Sequence, residues 1–163
     1  MSFLGRFKNK EQMPYELTAF VEGKSIRLEN VKDEVFSSNA LGKGIGIIPV
    51  NGKIVAPISG MVSMIFPTKH ALGIKTDVGI EILIHIGIDT VKMNGEGFDL
   101  KVMVNQKIKR GDVLIDVDFP LIEKNGFDTT VISVITNTEE FKDISIIEDD
   151  VTIKDIVLKV EKE

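Results

Sequence analysis

The chain holds two histidines, His70 and His85, so any imidazole chemistry runs through those two positions. A neutral imidazole near pH 7 is a nucleophile with one free ring nitrogen, and the N–H of the other must meet an acceptor for the tautomer to be fixed. Hydroxyls and a carboxylate flank the pair: Thr68 just before His70, then Asp89 and Thr90 just after His85. Gly87 adds backbone that a ligand can approach with no Cβ in the way. Two chemistries suit such a pair. In one, the first ring attacks phosphorus while the second hydrogen-bonds the developing phosphoryl charge, a reaction carried mostly by positioning and electrostatics. In the other, both rings ligate zinc, which then needs a third ligand from Asp89, Glu81 or a partner protein. The chain has no Cys, which excludes disulfide scaffolds, thiolate nucleophiles, iron–sulfur clusters and cysteine-ligated zinc.

The element that must position His85 is a strand. From Gly79 to Gly87 the even positions Ile80, Ile82, Ile84 and Ile86 are all isoleucine, and the odd ones are Gly79, Glu81, Leu83, His85 and Gly87. Strict alternation puts the two sets on opposite faces. The isoleucine face belongs in the core, which leaves His85 beside Leu83 on the other face. His70 follows a strand ending at Phe66, and the two rings approach each other if the segments Gly60–Phe66 and Glu81–Ile86 are neighbours.

The rest of the chain supports a β-rich body. Ile and Val number 23 and 17, against 10 Leu and 4 Ala, and β-branched residues favour pleated sheets over helices. Short apolar runs separated by Gly, Pro, Asn and Asp recur every eight to twelve residues or so from Tyr15 onward, the spacing of a sandwich or barrel. They are Leu17–Val21, Ser25–Leu28, Gly46–Val50, Lys53–Ala56, Gly60–Phe66, Leu72–Thr76, Glu81–Ile86, Asp112–Val117, Thr129–Ile135 and Ile153–Val160. Helical turns are expected only around Leu121–Lys124 and Thr138–Asp143. An internal echo links Ala19-Phe-Val-Glu-Gly23 and the strand after it to Ala56-Pro-Ile-Ser-Gly60 and the strand after that, which suggests two related units packed face to face.

At 163 residues the chain makes one ordinary domain. Its net charge of −5 argues against nucleic acid as a partner. No apolar run reaches the ~20 residues of a membrane span. In residues 1–14, Phe3, Leu4 and Phe7 fall at helical spacing among Arg6, Lys8 and Lys10. That pattern reads as an N-terminal arm, flexible or amphipathic, whose segment Met1–Lys10 could rest weakly on an anionic membrane; residues 15–163 form the domain. A cytoplasmic location is expected.

The motifs Phe66-Pro-Thr-Lys-His-Ala71, Glu81-Ile-Leu-Ile-His-Ile-Gly-Ile-Asp-Thr-Val91 and Gly95-Glu-Gly-Phe98 resemble those of the glucose-type enzyme IIA proteins of the bacterial phosphoenolpyruvate-dependent sugar phosphotransferase system. Weaker support comes from Val55-Ala-Pro-Ile-Ser-Gly60, Val35-Phe36 with Gly42-Lys-Gly-Ile45, and Lys107-Ile-Lys-Arg-Gly-Asp112. The resemblance implies an all-β, single-domain antiparallel sandwich of the duplicated-hybrid, barrel-sandwich type, with short helical turns. It implies that the phosphocarrier protein HPr phosphorylates His85 on Nε2, and that His85 passes the group to the IIB domain of a sugar permease. His70 is then the supporting imidazole, and Thr68 the hydroxyl linked to the pair. Asp89 faces basic groups of a partner across a shallow apolar depression formed by Val35, Phe36, Ala40, Phe66, Leu83 and Val91. No cofactor is required, although a zinc ion shared by His70, His85 and a partner carboxylate belongs to the family's repertoire.

Two departures from the family pattern stand out. The first Ala-Pro-x-x-Gly turn lacks its Pro, and Ala40 is smaller than the aliphatic residue common there. The competing readings are a biotin- or lipoyl-type carrier, suggested by Val104–Val113 but lacking a Met-flanked lysine at a hairpin tip, and a non-catalytic β-sandwich interaction module.

Overall fold

The computed structural model describes residues 13–162; the segment Met1–Lys10, expected as a membrane-resting arm, lies outside them. The order of elements is β1 (Glu16–Thr18), β2 (Gly23–Arg27), α1 (Glu34–Ser37), β3 (Lys43–Pro49), β4 (Lys53–Val55), β5 (Gly60–Ile65), β6 (Ala71–Lys75) and β7 (Glu81–Ile86), then β8 (Phe98–Leu100), β9 (Lys107–Ile108), β10 (Val113–Val117), α2 (Phe119–Lys124), β11 (Val131–Ile135), β12 (Asp143–Ile146), β13 (Asp150–Val151) and β14 (Ile156–Glu161). One eight-stranded sheet runs β13-β2-β3-β11-β7-β6-β5-β9, and two three-stranded sheets run β1-β14-β12 and β4-β10-β8. Every strand pairing is antiparallel. The fold is the all-β sandwich the sequence suggested.

The echo between Ala19–Gly23 and Ala56–Gly60 extends to whole structural units. The Ala19 N–H donates to Asp155 O at 2.9 Å, and the Ala56 N–H to Asp112 O at 2.8 Å. Each of those aspartates closes a turn with its own carboxylate, which accepts from Thr152 N at 2.8 Å in one copy and from Lys109 N at 2.7 Å in the other. Gly23 pairs with Val151 as Gly60 pairs with Ile108. The copies are stitched to each other where Thr18 N donates to Pro57 O and Val55 N to Phe20 O.

Burial separates two apolar bodies. The main core fills the space between the sheets and contains Ile80, Ile82, Ile84 and Ile86, none more than 2% exposed, as the alternation required. The second cluster lies on the other face of the large sheet and comprises Leu28, Val31, Phe36, Ile88, Ile132 and Val134, with Ile26 and Leu83 against it. The 3₁₀ turn Leu28–Asn30 and α1 contribute Leu28 and Phe36 to it. A single helical turn cannot stand alone in water, so α1 is held by burial of Phe36 and by its cap, Asp33, whose side chain accepts from Val35 N at 2.9 Å.

Several elements differ from the sequence expectation. The stretch Thr138–Asp143 is one 3₁₀ turn, Thr138–Glu140, after which β12 begins at Asp143. The run Ile153–Val160 contributes a strand only from Ile156, because Thr152 to Asp155 are spent on the turn just described. Strands β5 and β7 are not neighbours; β6 lies between them, so the two histidines meet by another route.

Candidate functional site

That route is the β6–β7 register. Ala71 pairs with His85, and the amide of Ile86 donates to His70 O at 2.7 Å. His70, the residue before β6, is thereby carried to the end of β7. The rings sit edge to face with centroids 4.9 Å apart.

The two imidazoles are held differently. His85 Nδ1 lies 2.8 Å from the Gly87 carbonyl, which can only accept, so Nδ1 carries the proton and Nε2 keeps its lone pair. His70 Nδ1 lies 2.7 Å from Thr68 Oγ1. A hydroxyl donates or accepts; when Thr68 donates, the proton of His70 is on Nε2. The pair is then one nucleophilic nitrogen beside one N–H donor. Burial, then the neighbouring His70, pushes His85 down to about 4, against the opposing pull of the Gly87 carbonyl, Asp33 and Asp89. Burial also lowers His70. Both rings are therefore neutral at pH 7.

The surroundings follow from the sheet rows. Cross-strand partners share a face, so Ile132, His85 and Ala71 lie in one row and Val134, Leu83, Gly73 and Met64 in the next. Phe36 packs against His85 at a centroid distance of 5.0 Å, and Phe66 meets His70 edge-on at 5.3 Å. The expected rim is therefore of two kinds. Val35, Ala40, Asp89 and Val91 are exposed and Phe66 and Leu83 half-buried, whereas Phe36 is buried and serves as the wall behind His85. Thr90 is fully buried and bonds the Ile86 carbonyl, an anchor for the loop after β7.

Gly87 has a role the sequence could not show. Its φ is +76°, and a Cβ there would lie 2.4 Å from Thr90 Cγ2 and 3.0 Å from Asp128 O. Only glycine turns its carbonyl back onto His85 in that space. Asp33, which the sequence motifs do not include, acts on the site by capping α1 and through its charge on His85; an Asp followed by Glu34 and then the apolar pair Val35-Phe36 was the signal available. Leu41, next to Ala40, is also exposed and adds apolar surface beside the smaller residue.

Among the described residues, no group of three or more His, Cys, Asp or Glu side chains is placed to hold a metal ion. Glu81 lies at the far end of β7 from His85, which removes it as a third ligand.

The site is thus a pair of neutral imidazoles, one held by a backbone carbonyl and one by a hydroxyl, set beside apolar surface on a duplicated antiparallel sandwich. The chain belongs to the EIIA 1 family of the phosphoenolpyruvate-dependent sugar phosphotransferase system, which matches residues 15–141. It is 38% identical over 148 residues to the glucose-specific EIIA component of Staphylococcus aureus strain Mu50, covering 90% of this chain and 89% of that one. It is 46% identical over 140 residues to the glucose-specific EIICBA component of Staphylococcus saprophyticus, of which it spans 20% of the length while 85% of this chain is covered. In three dimensions it resembles the glucose permease IIA of Mycoplasma capricolum, with a TM-score of 0.80 and 37% identity over 88% of this chain and 93% of that one. The biotin- or lipoyl-carrier reading is not favoured: Lys92 sits in the 3₁₀ turn Thr90–Met93 rather than at a hairpin tip.

Proposed function

We propose that this protein is the IIA phosphocarrier of a glucose-type sugar permease, working in the cytoplasm: His85 takes a phosphoryl group from HPr and hands it to a IIB domain. The observation that carries the reading is the tautomer set by Gly87, which leaves Nε2 of a neutral His85 free to attack. A bond forms from Nε2 to phosphorus as the donor's phosphorus–nitrogen bond breaks, and the reverse exchange follows at the acceptor. His70, with Thr68 donating to its Nδ1, offers an N–H to the phosphoryl oxygens, where a dry apolar surround strengthens the hydrogen bond. The surface formed by Val35, Ala40, Phe66, Leu83 and Val91 serves both partners in turn, and Asp89 meets their basic groups. The fusion of EIIA to B and C components in the S. saprophyticus relative supports IIB as the acceptor. Zinc has no part in the transfer; an ion bridging this chain to a partner would use His70 and His85 and take its other ligands from that partner.

The test is incubation with phosphoenolpyruvate, enzyme I and HPr. An acid-labile, base-stable phosphoryl group that His85→Ala abolishes is expected, and an unlabelled wild-type protein overturns the proposal. His70→Ala is expected to accept phosphate and fail to donate it; normal onward transfer removes the supporting role. We further propose that Met1–Lys10 rests on anionic membranes. Its deletion then abolishes co-sedimentation with phosphatidylglycerol vesicles and leaves phosphorylation intact, and an intact chain that does not sediment refutes the idea.

A further inference from the structure

We propose that Asn94 is a site of spontaneous deamidation, and that its conversion disturbs the support of His70. The chain contains three Asn–Gly pairs, Asn51-Gly52, Asn94-Gly95 and Asn125-Gly126. Asparagine is a thermolabile residue, and a following glycine leaves its own backbone nitrogen open to approach the side-chain amide. The backbone nitrogen of the glycine attacks Cγ of the asparagine, a C–N bond forms, and ammonia leaves, carrying off the displaced proton. Water then opens the cyclic imide at either carbonyl, giving aspartate or isoaspartate.

The structure separates the three pairs. Asn51 is held at both ends of its amide, with Nδ2 donating to Glu22 Oε2 at 3.4 Å and Oδ1 accepting from Lys53 N at 3.1 Å. Asn125 donates from Nδ2 to Leu121 O at 2.8 Å, and the attacking nitrogen, Gly126 N, is tied to Glu123 O at 2.9 Å. Among the described residues, the Asn94 side chain has no hydrogen-bond partner and Gly95 N has no acceptor. Asn94 is also exposed and lies where two left-handed residues follow one another, with φ of 54° at Asn94 and 86° at Gly95. Both the electrophile and the nucleophile are thus unrestrained only at this pair.

The consequence for the site comes from what the turn touches. A Cβ on Gly95 would lie 3.8 Å from Thr68 O and 4.0 Å from Lys69 Cδ, so the turn sits against the segment that presents Thr68 to His70. Isoaspartate adds a methylene to the main chain there, and either product adds a negative charge to the turn that approaches Lys69 at Gly95 and caps the 3₁₀ turn carrying Lys92.

The full-length protein is incubated at mildly alkaline pH and physiological temperature and its peptides are mapped by mass, with a urea-unfolded sample as reference. The expected result is an amide-to-acid mass gain at Asn94 several-fold faster than at Asn51 or Asn125 in the folded protein, and comparable rates at all three in urea. Faster conversion at either other pair, or an unchanged Asn94 when the unfolded sample has reacted, overturns the proposal. The coupling to His70 rests on the phosphocarrier reading and has its own measurement. Converted wild type is expected to accept phosphate from HPr while losing onward transfer, and Asn94→Gln aged in parallel is expected to keep it. Unaltered transfer by the converted protein overturns the coupling, whereas failure to accept phosphate even before ageing would instead count against the phosphocarrier reading.

Discussion

Replacing His85 with glutamine should flatten the acid sensitivity of the fold. In the folded protein burial and the neighbouring His70 hold His85 at about 4, against an ordinary 6.5. Above pH 6.5 the ring is neutral in both folded and unfolded chains, and its contribution to stability is complete. As the pH falls through 6.5 the unfolded chain takes up a proton that the folded site refuses, so stability declines until the folded ring also titrates near pH 4. The separation, 6.5 minus about 4, is about 2.5 units; at ~1.36 kcal/mol per unit it amounts to about 3 kcal/mol, of which roughly 2 kcal/mol is already lost at pH 5. Solvent at the half-exposed edge of the ring makes this an upper figure. The measurement is urea unfolding of wild type and His85→Gln at pH 7, 6 and 5. Wild type should lose about 2 kcal/mol more than the variant between pH 7 and 5; His70 is present in both, so its own downward shift largely cancels. Parallel pH dependences would refute the claim that the ring is held neutral by its surroundings. The same neutrality predicts that phosphate acceptance holds its rate from pH 7 to 5, where an unperturbed imidazole would lose most of its nucleophilic form.

Thr68→Val should leave acceptance at His85 near wild type and slow onward transfer about ten-fold or more, the loss of roughly one charge-assisted hydrogen bond, and Thr68→Ser should restore it; single-turnover transfer to a IIB domain reads both. Gly87→Ala should destabilise by about 2 kcal/mol or more, because the new Cβ meets both Thr90 and the Asp128 backbone at a positive φ, and its His85 ring should titrate differently by NMR. Ser133 is fully buried with its hydroxyl unpaired, so Ser133→Ala should be neutral or stabilising by about 1 kcal/mol in urea unfolding; a large loss of stability would show that the hydroxyl has a partner.

The parts of the molecule legible in its sequence are those whose physics is local. The β7 strand was readable because one face is all isoleucine, so period two leaves no ambiguity about which side His85 takes. The two- and three-residue strands β8, β9 and β13 were not, since so few residues show no period and their extended state comes from the partner they pair with. The short helix α1 escaped for a related reason: a single turn has almost no pattern, and only the Asp33 cap marks it. Gly87 was singled out for its missing Cβ, yet its contribution is a carbonyl, an atom every residue has and no sequence distinguishes.

The meeting of His70 with His85 is the clearest case of a site decided by register rather than by residue type. The turn between β6 and β7 is closed by Thr76, whose amide donates to Ile80 O at 3.0 Å, whose carbonyl accepts from Gly79 N at 3.1 Å, and whose hydroxyl accepts from Ile80 N at 3.1 Å. That closure sets Lys75 opposite Glu81, and counting outward along the ladder sets Ala71 opposite His85. A slip of one residue would turn the β7 side chains over, burying Glu81 and His85 while exposing the isoleucines, so the core enforces the same register that the turn selects. The two imidazoles are thus brought together by isoleucines on the opposite face and by a threonine at the opposite end of the strand.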